Sequence, residues 1–256
     1  MKTIGEEKIR NAFSKAAGHY DQKTHLHKDI GLKLLCGIEK CGHIKNILDV
    51  GMGTGWLTGE LSLWFYDALV VGLDFSEGMI EQARQYKDFR TIQADARKFP
   101  FKNNSFDLVI SNLAYQWLED LDKAFGSVRG ILKKDGVFHC SIFGVKTLSE
   151  LTRSLAEAKK GKIDFKALPS ERKIKEALLR NNFKDVEVKS DILRMDFSDL
   201  LDLLRWLKDI GANKGARNVF FGREALRRAN DYYQRSFHRN GRIYASFEVI
   251  FAKGVR

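Results

Sequence analysis

The sequence predicts an α/β fold in which a mostly parallel sheet is covered by helices on both faces. Between residues 45 and 144, short apolar runs alternate with helix-like stretches, and a glycine-rich turn follows the first run. Such alternation is typical of βαβ units. The runs have the length and composition of short buried strands, as expected for a parallel sheet that is shielded on both faces.

Five strands are predicted in this part of the chain. They cover residues 45–50, 68–74, 90–95, 105–112 and 136–144. Helices are predicted between them near 55–66, 77–87 and 119–132. Ser76 and Glu77 suit the start of the second of these helices, because serine accepts hydrogen bonds from the first free backbone N–H groups of a helix.

After residue 145 the pattern changes to helices that flank two strands of alternating polarity. The helices are predicted at 148–160, 170–182, 198–210 and 222–237, and the strands at 183–195 and 242–254. Two alternating strands after a parallel series predict a mixed edge of the sheet. The segment 197–240 between them is predicted as an inserted helical cap, and residues 4–17 as an amphipathic helix outside the sheet.

Length and composition favour one domain. A chain of 256 residues is near the size at which a single core stops growing, so we expect N-terminal helices (1–43), a core (44–144) and the helical cap (197–240) in one unit. A hydrophobic fraction of 44% with two prolines excludes collagen-like and disordered chains. No apolar run approaches the ~20 residues of a membrane span, and the N-terminus lacks a signal-peptide core, so a cytoplasmic protein is expected.

Cysteine and histidine usage argues against a metal or disulfide framework. Cys36, Cys41 and Cys140 cannot all pair with one another, and none forms a C-x-x-C sequence. His25 and His27 lie close together without the spacing of metal ligands, so we interpret them as ordinary histidines. No metal site is therefore expected.

The strongest local signal is the sequence LDVGMGTG at residues 48–55, between a predicted strand and a predicted helix. Glycines at such a junction allow backbone to approach a ligand, and helix N–H groups point towards it. Asp49, Asp74 and Asp95 lie at the ends of neighbouring strands, where open α/β sheets bind ligands. Asp74 is placed to accept two ribose hydroxyls, and Asp95 with Ala96 to meet an adenine edge. A tight turn without ligand remains the alternative interpretation.

Residues 44–144 resemble the class I S-adenosylmethionine-dependent methyltransferases. LDVGMGTG is similar to their first motif, VVGLDFSEGMI to the second, QADARKFPFKNNSFDLVISN to the third and fourth, and ILKKDGVFHCSIF to the fifth. Met52 departs from the small residue that is frequent there. A nicotinamide-binding domain is disfavoured because the glycine spacing is G-x-G-x-G and Asp95 is present.

This resemblance implies a Rossmann-like class I methyltransferase fold with a seven-stranded sheet, and S-adenosyl-L-methionine as the cofactor. It also implies which residues contact that cofactor. They are Tyr20, Asp49, Gly51, Gly53, Asp74, Phe75, Met79, Asp95, Ala96, Asn112 and Leu113.

The flanking segments resemble the malonyl-acyl carrier protein O-methyltransferases of biotin synthesis. Phe13 to Tyr20 is similar to their F-x-x-A-A-x-x-Y segment, and Asn112 to Trp117 to their N-x-x-x-Q-W segment. Residues 204–213 are similar to L-R-x-L-K-x-I-G-A, and residues 242–247 fit the final strand. The implied reaction is O-methylation of the free carboxylate of a malonyl group carried by acyl carrier protein, with malonyl-coenzyme A as an alternative acceptor.

A malonyl carboxylate is ionised at neutral pH and attacks without a general base, so no catalytic dyad is expected. The site instead needs a cation that orients one carboxylate oxygen, for which Arg205 is the first candidate and Lys208 the second. Tyr20 and Gln116, with Trp117 beside them, are expected as walls or hydrogen-bond donors. The alternative is that the aromatic residues belong to the core and Arg205 to a solvated helix face.

The net charge of +11 argues for an acidic partner, which composition alone leaves open between nucleic acid, an anionic membrane and an acidic protein. Arginines crowd the segment 217–242, at 217, 223, 227, 228, 235, 239 and 242. Because acyl carrier proteins are acidic, we interpret this arginine-rich segment as a docking surface, with a solvated helix face as the alternative. RNA methylation is disfavoured because no RNA-binding motif interleaves the basic residues.

Two other functions stay open at this point. One is methylation of another small molecule, such as a quinone precursor or trans-aconitate. The other is a cofactor-binding module that regulates a partner without turnover.

Overall fold

The computed structural model describes residues 4–38, 44–86, 89–159, 167–212 and 221–256. The strands are β1 (Asn46–Val50), β2 (Leu69–Asp74), β3 (Arg90–Gln93), β4 (Phe106–Asn112), β5 (Leu132–Phe143), β6 (Lys184–Phe197), β7 (His238–Arg239) and β8 (Arg242–Val255). The helices are α1 (Ile4–Lys23), α2 (His25–Cys36), α3 (Trp56–Trp64), α4 (Glu77–Tyr86), α5 (Leu121–Ile131), α6 (Ser149–Lys159), α7 (Glu171–Arg180), α8 (Leu200–Asp209) and α9 (Arg223–Ser236). Of these helices, none is long and apolar enough to cross a membrane.

All eight of these strands join one sheet, in the order β3-β2-β1-β4-β5-β8-β6. The first five strands pair in parallel, whereas β8 pairs antiparallel with both β5 and β6. The predicted mostly parallel sheet with a mixed edge is therefore confirmed. The expected number of seven strands differs from the observed sheet only by β7, a two-residue strand that pairs with β8 in a hairpin.

Helices cover both faces of the sheet, as predicted. The side chains of the strands point alternately to the two faces and so divide the hydrophobic core into two layers. On one face, Ile47 and Leu108 pack with residues of α2, α3, α6, α8 and α9. On the other face, Leu48 and Val109 pack with residues of α5 and α7. Successive strand residues point to opposite faces, so short strands that are apolar at consecutive positions fill both layers.

Two boundaries differ from the predictions by more than two residues. The N-terminal helix predicted at 4–17 continues to Lys23 and is followed by α2. The strand predicted to begin at residue 136 begins at Leu132, directly after α5. Its pairing with β4 shifts register between Phe106 and Leu108, and Asp135 has a positive φ of 61°. Residues 133–136, which follow the helix predicted at 119–132, therefore form an irregularity inside a strand.

The segment after β6 contains α8 and α9, at the positions where helices are predicted. The buried side of α8 carries Leu200, Leu203 and Trp206. The indole N–H of Trp206 donates a hydrogen bond of 2.8 Å to the carbonyl of Lys23, at the end of α1. This bond satisfies a carbonyl that has no partner within its own helix, and it fixes α8 against the N-terminal helix.

Candidate functional site

The turn between β1 and α3 is shaped by three glycines with positive φ. The φ values are 73° at Gly51, 58° at Gly53 and 82° at Gly55, in the left-handed region that glycine adopts without steric cost. A Cβ on Gly51 would collide with the Cβ of Ala114 in the segment after β4. The glycines therefore bring the turn close to the end of a neighbouring strand, as the sequence predicts.

Asp74, at the end of β2, is buried and connects this turn to the start of α4. Its Oδ2 accepts a hydrogen bond from the N–H of Gly53 at 2.9 Å, and its Oδ1 accepts one from the N–H of Ser76 at 2.8 Å. Burial raises the pKa of Asp74 to about 6, although these backbone donors act in the opposite direction. The carboxylate retains lone pairs for further donors, such as the hydroxyls of a ribose.

Asp49 lies beneath the turn and is almost completely buried. Its Oδ2 accepts a hydrogen bond of 2.7 Å from the hydroxyl of Thr58, and its Oδ1 is buried without a hydrogen-bond partner. Burial raises the pKa of Asp49 to about 7, and the negative charge of Asp74 adds to this effect. A second acid so close to the ligand-facing carboxylate makes this end of the sheet favourable for a positively charged group.

Helix α1 lies over the glycine turn. The hydroxyl of Thr54 donates a hydrogen bond of 2.6 Å to Asp21, and the hydroxyls of Ser14 and Ser76 are 2.8 Å apart. The ring of Tyr20 lies against Gly53, where an added Cβ would be 3.8 Å from Cε1 of the tyrosine. Burial raises the pKa of Tyr20 above its ordinary value, so the phenol stays protonated and can donate a hydrogen bond.

The segment that begins at the end of β4 carries further residues predicted for the site, and it lies under the same helix. Asn112 donates to the carbonyl of His27 at 2.9 Å and accepts from the hydroxyl of Ser141 at 2.7 Å. Gln116 donates to the carbonyl of Leu113 at 2.6 Å. Trp117 meets Phe13 of α1 edge to face, with ring centroids 5.3 Å apart.

A cavity of about 300 Å³ adjoins the same segment and is lined by Tyr115, Gln116, Glu119 and Lys173 among others. The hydroxyl of Tyr115 and Oε1 of Gln116 are buried without a hydrogen-bond partner. Unsatisfied polar atoms beside open space are typical of a ligand-binding segment. The turn after β4 is thus a second candidate contact region next to the glycine turn.

The remaining cofactor residues predicted from the sequence lie near Asp74 or at the end of β3. Met79 is buried in the first turn of α4, and Phe75 is half-buried beside Asp74. The carboxylate of Asp95 forms an ion pair with Arg97 and accepts the backbone N–H of Arg97 at 2.9 Å, around the half-buried Ala96. This pairing holds the turn after β3 in place and leaves the contact of Asp95 with an adenine a prediction.

Arg205 and Lys208 are exposed on α8, whereas Trp206 and Leu207 between them are buried. Hydrogen bonds from Ser198 lower the pKa of Asp202 on the same helix, and the charges of Arg242 and Arg205 add to this effect. Within the described ranges of the chain, neither cation forms a hydrogen bond with Tyr20 or Gln116. The aromatic residues predicted as walls of the acceptor site thus lie together, whereas Arg205 and Lys208 form no such hydrogen bond in the described part of the chain. The role of both cations stays a prediction.

His27 is a residue of this region that sequence reasoning missed. Its ring packs against Tyr20, Phe143 and Trp206, with centroid distances of 5.9, 6.1 and 6.5 Å. Burial lowers the pKa of His27 to about 4, so the imidazole is neutral at pH 7. The one sequence signal that points to it is its spacing of seven residues, about two helical turns, from Tyr20. Among the described residues, no group of three His, Cys, Asp or Glu side chains could hold a metal ion.

Comparisons with known proteins agree with this geometry. The family model of a methyltransferase domain matches residues 48–140. The chain is 32% identical to the malonyl-[acyl-carrier protein] O-methyltransferase of Geobacter sulfurreducens, over 99% of this chain and 100% of the relative.

Solved structures share the fold. The YcgJ protein of Bacillus subtilis superposes with a TM-score of 0.64 at 17% identity, covering 90% of this chain and 98% of that protein. The phosphoethanolamine N-methyltransferase 2 of Haemonchus contortus, in complex with S-adenosyl-L-methionine, superposes with a TM-score of 0.56 at 24% identity. That comparison covers 88% of this chain and 52% of the other.

The raised pKa of Asp49 has a measurable consequence for stability. Folding raises this pKa from 3.8 to about 7, so between these values the folded protein binds a proton more tightly than the unfolded chain. The free energy of unfolding therefore falls as pH rises through this window. Asp49→Asn removes this titratable group. The free energy of unfolding of the variant minus that of wild type should therefore rise by up to about 4 kcal/mol from pH 4 to pH 8.

Urea unfolding at several pH values measures this difference. Asp67→Asn changes an exposed carboxylate in the same way and should give a profile parallel to that of wild type. A parallel profile for Asp49→Asn as well would contradict the burial argument.

Proposed function

This chain belongs to the malonyl-[acyl-carrier protein] O-methyltransferase family, and from this premise we propose that it methylates the free carboxylate of malonyl-acyl carrier protein. The methyl donor is S-adenosyl-L-methionine, and the product is the malonyl methyl ester that starts biotin (pimeloyl) synthesis. The proposal rests on the sequence identity of 32% to the Geobacter sulfurreducens relative, over 99% of this chain. This identity includes α1 and the segment after β6, which lie outside the matched methyltransferase domain.

The residues around the glycine turn fit the cofactor. Gly51 and Gly53 have no side chains and adopt positive φ, so a ligand can approach the backbone of the turn closely. Asp74 has free lone pairs for the ribose hydroxyls, and Tyr20 covers the turn. The acids Asp49 and Asp74 suit a cofactor that carries a sulfonium and an ammonium group.

The reaction asks the protein for orientation and water exclusion. When bound, S-adenosyl-L-methionine supplies the methyl group: the carboxylate oxygen forms the O–CH₃ bond while the C–S bond breaks and its electron pair stays on sulfur. Tyr20, Trp117 and Phe13 form apolar walls that exclude water and strengthen the attraction between anion and sulfonium. Arg205 and Lys208 remain the first and second candidates for a cation that orients the carboxylate.

The arginine-rich segment is proposed as the docking surface for the acidic carrier protein. The six arginines between residues 221 and 242 are exposed, while Arg217 lies outside the described residues. Arg227 pairs with Glu224 and Asp231, and Arg239 pairs with Asp196. Six arginines against the two acids at 224 and 231 leave four net positive charges on this part of the chain, which supports attraction of an acidic partner.

The proposed function is tested with labelled S-adenosyl-L-methionine and carrier proteins that bear malonyl, succinyl or acetyl groups. Malonyl should react fastest, because succinyl places its carboxylate farther from the thioester and acetyl offers no carboxylate. Malonyl-coenzyme A shows how much of the rate depends on the protein carrier. Equal rates with malonyl and succinyl carriers, or faster methylation of free trans-aconitate, would favour another small-molecule methyltransferase.

The cofactor site is tested at Asp74. Asp74→Asn should weaken S-adenosyl-L-methionine binding at pH 7.5 by about 1–3 kcal/mol, because charge-assisted hydrogen bonds are lost. Because burial raises the pKa of Asp74 to about 6, wild-type affinity should also fall as pH is lowered through that value, and the variant should lack this fall. Isothermal calorimetry measures both. Glu77→Gln, an exposed acid in the first turn of α4, serves as the control.

The docking surface is tested by reversing charge at Arg223 and Arg235, which have no ion-pair partner among the described residues. The Arg223→Glu, Arg235→Glu variant should lower kcat/KM for malonyl-acyl carrier protein at low salt and flatten its dependence on ionic strength. Its affinity for S-adenosyl-L-methionine and its rate with malonyl-coenzyme A should stay unchanged.

The matched control is Lys175→Glu, Lys184→Glu. It changes the net charge by the same amount at α7 and the start of β6, away from the arginine-rich segment. If the two variants give superimposable salt profiles, the arginines belong to a solvated face and dock no carrier.

A further inference from the structure

His27 lies where the acceptor side of the site is expected. The glycine turn after β1 and Asp74 after β2 form the proposed cofactor side, while β4 and β5 continue the sheet in the other direction. The carbonyl of His27 accepts a hydrogen bond from Asn112 at the end of β4, and its ring contacts Phe143 at the end of β5. The same ring also contacts Tyr20, which lies on the glycine turn. His27 thus spans the boundary between the two sides.

The two edges of the imidazole differ in their surroundings. Nδ1 is buried without a hydrogen-bond partner, yet the residue as a whole is only half-buried. Nε2 is not among the buried atoms that lack a partner, and it forms no hydrogen bond within the described residues, so it lies on the accessible edge of the ring. A neutral imidazole has one N–H and one bare nitrogen. If Nδ1 carried the proton, an unsatisfied donor would be buried. The proton therefore lies on Nε2, at the accessible edge, and Nε2 is the donor.

Nothing else in the fold explains this arrangement. The ring packs against Tyr20, Phe143 and Trp206, and among the described residues no hydrogen bond or ion pair joins it to an acidic or basic side chain. The burial that lowers its pKa to about 4 keeps it uncharged. A histidine with this apolar surrounding and one free N–H can recognise an oxygen of a ligand but contributes no hydrogen bond to the packing of α2.

We propose that His27 is a substrate-binding residue whose Nε2–H donates a hydrogen bond to one oxygen of the acceptor carboxylate. This assignment rests on the proposed function. The other oxygen is then left free to attack the methyl group. A neutral donor orients the carboxylate without neutralising its charge, so the attacking oxygen keeps more of its nucleophilicity than it would in a close ion pair. On this assignment, His27 takes over the orienting role for which Arg205 and Lys208 are the candidate cations.

The test compares three substitutions of His27 that separate the donor from the ring. His27→Phe keeps the aromatic packing and removes the donor, and should lower kcat/KM for malonyl-acyl carrier protein by about 10- to 100-fold, as expected for a hydrogen bond to a charged group. His27→Gln places an amide N–H near the position of Nε2 and should restore most of the rate. His27→Asn places it nearer to Nδ1 and should not. His25→Phe, at an exposed position of the same helix, is the matched control.

A binding measurement separates recognition from folding. With S-adenosylhomocysteine bound, wild type should prefer malonyl-pantetheine over acetyl-pantetheine, and His27→Phe should lose this preference while its melting temperature and affinity for S-adenosylhomocysteine stay near wild type. Full activity of His27→Phe, or equal losses in the Phe and Gln variants, would overturn the assignment of His27 alone. Wild type that fails to methylate any malonyl carrier would instead overturn the proposed function, and this assignment with it.

Discussion

The buried carboxylate of Asp74 is the group on which the arrangement of the site depends. It accepts the N–H groups of Gly53 and Ser76 and so fixes the glycine turn against the start of α4. Taking a carboxylate out of water costs free energy that hydrogen bonds compensate only in part, which is why the pKa of Asp74 remains raised. A fold that only needed a tight turn would not require a charge here, which supports the proposed contact of Asp74 with hydroxyl donors of a ligand.

Helix α1 depends on the same turn. Asp21 accepts from Thr54 and Tyr20 lies on Gly53, so two contacts hold the helix over the turn. A third contact, between Ser14 and Ser76, joins the helix to the start of α4. Trp206 then attaches α8 to the last residue of α1. The turn, the N-terminal helix and the segment after β6 thus form a continuous series of contacts.

Charge is divided between the inside and the outside of the molecule in a way that fits the proposed reaction. Two acids, Asp49 and Asp74, lie buried beneath the turn, where they favour a cationic cofactor. The arginines of α9 and its flanks are exposed, where on the proposed docking they attract an acidic carrier over a distance set by ionic strength. The carboxylate of the methyl acceptor would bind between these regions, where the surrounding side chains are mainly aromatic. This separation lets carrier binding change without altering the affinity for the cofactor.

The sequence by itself determined the order and type of most elements, although not α2 and β7, and it determined which residues of the proposed cofactor site come together. Apolar runs, helix periodicity and the glycine spacing are local signals, and the carboxyl ends of parallel strands meet at one edge, so the sequence alone places Asp49, Asp74 and the glycines together. Tertiary structure alone decided the rest. The bulge at the start of β5 depends on pairing with β4, and the exposure of Arg205 depends on which side of α8 faces the core. His27 was missed because its neighbours, Asn112, Phe143 and Trp206, are 85 to 179 residues away along the chain, and its character comes from their packing rather than from its own local sequence.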